Sequence, residues 1–143
     1  MPAFTLYGAP GSTNTDRVRL TLAEGGFTDY ELVNVNLSKG EQKTLIGLPP
    51  NEAVVSEALE AVEAFFDVAE GRLLQDNDYM AGNDFSLVDI FYVPLIQRLI
   101  VCGYGHIITN HKAVSGWWDR VVNRAAIQKI LAVDKEAATA AGR

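Results

Sequence analysis

Ser12 and Thr13 are the residues best placed to do chemistry. They stand where a short apolar run, Phe4-Thr5-Leu6-Tyr7, breaks at Gly8-Ala9-Pro10-Gly11 and a helix opens. The first turn of a helix carries backbone N–H groups without internal partners, and a Ser or Thr at its cap adds a hydroxyl beside them. A thiolate, carboxylate or phosphate at that point is stabilised by hydrogen bonds and by the positive end of the helix dipole. Spacing alone leaves two readings open, an anion site and an ordinary pair of capping hydroxyls.

Three elements must position such a site. Residues Thr13 to Glu24 carry Val18 and Leu22 on one helical face, and Gly25-Gly26 supplies a C-terminal stop. The alternation in Tyr30-Glu31-Leu32-Val33-Asn34-Val35-Asn36-Leu37 reads as a strand. The result is a β-α-β unit whose crossover should be right-handed and whose strands should be parallel. With these residues in place, the segment resembles the start of a glutathione S-transferase of the phi type, plant- and fungal-like. There a thioredoxin-like domain opens with a strand, a Ser-Thr loop, a helix, a strand and a Gly-Glu-His-Lys loop. The corresponding loop here is Lys39-Gly40-Glu41-Gln42-Lys43.

The resemblance implies roles residue by residue. Ser12 matches the Ser that donates to the glutathione sulfur, and Thr13 beside it joins the glutathione-binding set. Arg17 matches an Arg of the first helix that supports the site. Lys43 matches the Lys that holds the glycyl carboxylate of glutathione, and Gln42 replaces the His that assists it, still able to donate through its amide. Tyr7, Phe91 and Tyr92 are the candidates for the cleft where the family binds its hydrophobic second substrate. After Lys43 the chain departs from the family. The cis-Pro segment, two antiparallel strands and the acidic-Ser turn that grips the γ-glutamyl group have no counterpart. Pro49-Pro50 reads as a loop signal and not as a substitute for them. The resemblance thus implies an internal deletion that removes the second half of the thioredoxin-like domain and the first helix of the helical domain.

Beyond that gap the pattern is helical. Asn51 to Leu74 places Val54, Val55, Ala58, Val62, Phe65, Phe66, Ala69 and Leu73 near a 3.6-residue period, with Asn51 as cap. Ser86-x-x-Asp89 is a capping box with Phe85 as its staple, and Asp89 reads as a buried folding determinant rather than a catalytic carboxylate. Leu87 to Val101 is apolar nearly all round, as a central helix should be, with Pro94 implying a kink. Cys102 to His106 reads as a loop, Val114 to Asn123 and Ala125 to Val133 as helices, and Glu136 to Arg143 as a frayed tail. Trp117 and Trp118 read as packing residues. The expected fold is an α/β N-terminal fragment, a truncated thioredoxin-like β-α-β, joined to an all-α bundle, with boundaries at 1–44 and 51–143.

Composition narrows the function classes. A net charge of −6 with interspersed signs argues against a nucleic-acid partner. No run is apolar and long enough to suggest a membrane segment. One cysteine, Cys102, permits no internal disulfide and fits the cytoplasm. His106 and His111 lack the spacing of metal ligands, so no metal is expected. Two strands and one helix cannot cover both faces of a sheet, which leads to an expected homodimer. The resemblance implies an enzyme with glutathione as cosubstrate and a hydrophobic conjugated electrophile, such as a secondary metabolite, acting by conjugation or by addition and elimination that isomerises a double bond. The alternative is a noncatalytic binding or assembly module of the same fold that has lost glutathione binding.

Overall fold

The computed structural model describes residues 2–35 and 52–140. Strand β1 (Phe4–Gly8) leads into α1 (Thr13–Glu24) and then β2 (Tyr30–Asn34), which lies parallel to β1 with Phe4 opposite Tyr30 and Gly8 opposite Asn34. Both chain turns follow their sequence signals. Ala9-Pro10-Gly11-Ser12 is a β-turn closed by the Ser12 N–H on the Ala9 carbonyl at 3.1 Å, with Gly11 at φ 77° in the third position, where a side chain would be strained. Strand β2 stops at Asn34, short of the expected Leu37; Val35 still donates to the Gly8 carbonyl at 3.2 Å, and Asn36 and Leu37 lie outside the described residues.

The bundle begins with α2 (Glu52–Val68), whose last turns widen into a π-helical segment, Ala69–Leu73. That widening brings the Glu70 carboxylate onto the N–H groups of Ala113 and Val114, both at 2.9 Å, where it caps the next long helix but one. Helix α3 (Leu87–Val101) runs on through Pro94; the expected loop follows it, and its last residue, His106, opens a single helical turn, α4 (His106–Thr109). Helix α5 (Lys112–Val122) starts two residues before the expected Val114. Helix α6 (Ala125–Ala140) continues well past Val133, so no frayed tail begins at Glu136. Its Ala-rich composition favours helix throughout, and Asp134 is tied to Arg19 of α1.

One core joins the two segments. Leu20 of α1 is fully buried with Ile90, Val93 and Ile96 of α3, Trp117 and Val121 of α5, and Ile127 and Ile130 of α6. Asp89 is the polar centre of that core, with no exposed surface. It accepts hydrogen bonds from the N–H of Met80 at 3.0 Å, the N–H and hydroxyl of Ser86 at 2.8 and 3.0 Å, and the indole N–H of Trp117 at 2.8 Å. The expectation for Asp89 as a folding determinant therefore agrees with the structure, as does the packing role of Trp117. Helix α3 is not buried all round. Leu87, Val88, Phe91 and Leu95 face outward, because among the described residues α1 and α5 pack on its other sides.

Polar contacts lock α1 to the bundle. Arg124 reaches Glu24 through two hydrogen bonds of 3.0 and 2.5 Å while its guanidinium lies 3.7 Å from the Phe85 ring centroid. Arg19, almost fully buried, bridges Asp16 on its own helix at 2.8 Å and Asp134 on α6. No described helix is long and apolar enough to cross a membrane.

Candidate functional site

The turn after β1 delivers Ser12 to the N-terminus of α1 in an extended conformation, φ −82° and ψ 122°. Its carbonyl accepts the Asp16 N–H at 2.8 Å, which makes it the N-cap. Its hydroxyl makes no capping hydrogen bond. The side chain is thus not consumed by the helix, contrary to what an ordinary cap would do, and the N–H groups of Thr13 and Asn14 meet no acceptor among the described residues. Half-buried Ser12 and the first-turn amides of α1 thus lie together just after the end of β1.

Neighbouring residues fix this arrangement. Thr15 turns its hydroxyl back to accept the Ala9 N–H at 3.3 Å, and a Cβ at Gly8 would lie 2.5 Å from both the methyl and the hydroxyl of Thr15. Gly8 is therefore required by the close approach of strand to helix. Arg17 reaches back to Asn14 Oδ1 at 3.1 Å and across to the Phe91 carbonyl at 3.4 Å, with its guanidinium 5.9 Å from the Phe91 ring centroid. Arg98, near the end of α3, donates to the Gly11 carbonyl at 3.4 Å. Asp16, in the first turn, has its pKa pushed up to about 6, chiefly by burial and then by the charge of Asp134, against the pull of Arg19 and the Gly11 N–H.

Ser12 and Thr13 stand at the start of α1 and Arg17 one turn further on, where it contacts Asn14 and Phe91. Gln42 and Lys43 lie outside the described residues. The three aromatic candidates are not gathered in one place. Tyr7 is 70% exposed on the sheet opposite Val33, and Phe91 is half exposed beside α1. Tyr92 stacks on Phe65 at 5.2 Å and meets Trp117 edge-on at 6.3 Å, within the packed side of α3. Consecutive positions on a helix point about 100° apart, so one of the pair had to turn inward. Arg98 was missed by the sequence reading. The signal for it is its helical spacing, seven residues after Phe91 and three after Leu95 on one face.

His111 is N-cap to α5, with Nδ1 2.7 Å from the Ile107 carbonyl and Nε2 3.0 Å from Asp67, whose hydrogen bond raises its pKa. Among the described residues no group of three or more His, Cys, Asp or Glu side chains is placed to hold a metal ion.

Comparison with known proteins follows the same outline. The family model for the glutathione S-transferase C-terminal domain matches residues 29–125. Glutathione S-transferase F10 of Arabidopsis thaliana is 37% identical over 89 residues, which are 62% of this chain and 41% of that protein. The chain spans less than half the length of the curated plant relatives it matches. Among solved structures, poplar glutathione transferase F1 superposes with a TM-score of 0.82 at 21% identity, the match covering 92% of this chain and 98% of that one. Glutathione S-transferase-I bound with lactoylglutathione superposes with a TM-score of 0.78 at 20% identity, covering 90% and 98%. At such identities the two superpositions establish the fold.

Proposed function

The chain belongs to the glutathione S-transferase family, and on that premise we propose that Ser12 and the open first turn of α1 hold the thiolate of glutathione for attack on a hydrophobic conjugated electrophile. The observation that carries this reading is the Ser12 hydroxyl, left without a capping bond at the helix N-terminus. A free thiol titrates near about 8.5, and a hydrogen bond to a charged acceptor contributes roughly 1.5–3 kcal/mol. That energy lowers the thiol pKa by roughly one to two, enough to make the thiolate abundant at neutral pH. Thr13 adds its backbone N–H, and Arg17 braces the turn through Asn14 and α3. Gln42 and Lys43 are proposed to hold the glycyl carboxylate.

The reaction then needs little further machinery. The thiolate sulfur bonds to the electron-poor carbon, the displaced electron pair moves onto the conjugated acceptor group, and a solvent proton completes the adduct. If the sulfur leaves again after rotation about the former double bond, the outcome is cis–trans isomerisation and not conjugation. In the proposed division, residues 1–44 hold glutathione and the electrophile lies between them and residues 51–143. A reducing cytoplasm, where glutathione stays a thiol, suits this chemistry. A second copy of the chain is the proposed cover for the two-stranded sheet, whose Phe4 and Tyr7 are exposed, as is Val35 just past β2.

One observation favours a second reading. The described sheet has two strands, β1 and β2, so the strand and turn contacts the family uses for the γ-glutamyl group are not supplied by it. A noncatalytic module that has lost glutathione binding would look the same there. Calorimetric titration with glutathione separates the two. Saturable binding that Lys43→Ala weakens supports the transferase reading, and no heat of binding at millimolar glutathione rejects it.

A further inference from the structure

The outward face of α3 is an apolar row with a cation at each flank. Leu87, Phe91 and Leu95 are 53%, 47% and 40% exposed, and their spacing of four stacks them along one side of the helix. Arg98 ends the row, three residues after Leu95, with one 3.4 Å contact to the Gly11 carbonyl. Arg17 borders it at Phe91. Neither guanidinium has a carboxylate partner among the described residues, whereas Arg120 and Arg124 each have one and Arg19 has two. Arg17 is held by two acceptors and a ring. Arg98 is exposed and leaves most of its N–H fork free.

An apolar strip beside a guanidinium with no carboxylate partner among the described residues suits an amphipathic anion. The strip takes a flat apolar body, and the planar fork takes a carboxylate in two parallel hydrogen bonds. Gly11 adjoins Ser12, so a molecule lying along Phe91 and Leu95 with its anion on Arg98 reaches the place proposed for the thiolate. We infer that the electrophile taken at this face is an aromatic or conjugated molecule carrying a carboxylate, with Arg98 as the residue that selects for the charge. The reaction of that molecule rests on the thiolate reading above; its binding does not.

The test uses the full chain and a matched pair of acceptors, chlorodinitrobenzene and its carboxylate analogue chlorodinitrobenzoate. In both, the thiolate sulfur bonds to the carbon bearing chlorine, chloride leaves with the carbon–chlorine electron pair, and the thiol proton goes to solvent. Arg98→Met should lower the ratio of kcat/KM for the benzoate over that for the neutral acceptor about tenfold, with Arg98→Lys intermediate. Calorimetry with dinitrobenzoate, which has no leaving group, gives the binding readout without glutathione, and the same tenfold weakening is expected in Arg98→Met. Equal effects on both acceptors, no binding of dinitrobenzoate by the wild type, or a matching loss of glutathione affinity in Arg98→Met would overturn the inference. If wild type turns over neither acceptor while Arg98→Met still weakens dinitrobenzoate, the thiolate reading fails and the carboxylate site stands.

Discussion

Replacing Asp89 with Ala should cost about 4 kcal/mol of folding stability. Two of its four hydrogen-bond donors, the Met80 N–H and the Trp117 indole, are buried and would be stranded, each at about 1–3 kcal/mol. The other two belong to half-buried Ser86 and can turn to water, so they add a few tenths each. At about 2–4 °C per kcal/mol for a chain of this size, the midpoint of thermal unfolding should fall by about 10 °C. Asp89→Asn keeps an acceptor for Trp117 and Met80 but sets an amide donor against the Ser86 N–H, and should cost about half as much. Urea unfolding followed by circular dichroism measures both, and a cycle with Trp117→Phe should show a coupling of about 1–2 kcal/mol. An Asp89→Ala protein within 1 kcal/mol of wild type, or additive effects with Trp117→Phe, would refute the assignment of this carboxylate as the polar centre of the core.

Gly8→Ala places a Cβ 2.5 Å from Thr15 and should destabilise the chain by about 1–3 kcal/mol, with Thr15→Ala restoring much of it; a neutral Gly8→Ala would mean that strand and helix are not in close approach. Asp16 gives a pH dependence of definite sign. Its folded pKa, about 6, exceeds the ordinary 3.8, so the folded state holds a proton that the unfolded chain releases, and stability falls as pH rises through that window by up to about 3 kcal/mol. Asp16→Asn should flatten that decline in unfolding curves between pH 4 and 7, and an unchanged slope would contradict it. Arg124→Ala should cost about 1–2 kcal/mol by removing the paired bonds to Glu24 and the contact with Phe85. Full rescue by lysine, which lacks the planar fork, would count against that geometry.

Local signals made much of the fold legible. Pro10-Gly11 and Gly25-Gly26 bracket α1, and its bounds Thr13–Glu24 are those the sequence indicated. Ser86-x-x-Asp89 announced the start of α3, although spacing could not show that Trp117 would donate to the same carboxylate. What sequence missed depends on distant partners. The Arg19 bridge to Asp134 joins residues 115 apart, and it accompanies the extension of α6 to Ala140 where composition alone suggested fraying. Apolarity on every side of α3 does not say which neighbours cover it, so the pattern alone does not set the outward row of Leu87, Phe91 and Leu95 apart from the buried Ile90, Val93 and Ile96. For the candidate site, residue types singled out Ser12 and Thr13, and the family resemblance added Arg17. Hydroxyl geometry, the free Ser12 side chain against the committed Thr15, is set by the turn and emerges from the three-dimensional arrangement.

The most direct test of the central claim is the ionisation of glutathione bound to the chain, followed by the ultraviolet absorbance of the thiolate as pH is varied. Wild type should show a bound thiol titrating roughly one to two pH units below the free value of about 8.5, and Ser12→Ala should return it most of the way while binding persists. A bound thiol that titrates at the same pH in wild type and Ser12→Ala would contradict the account.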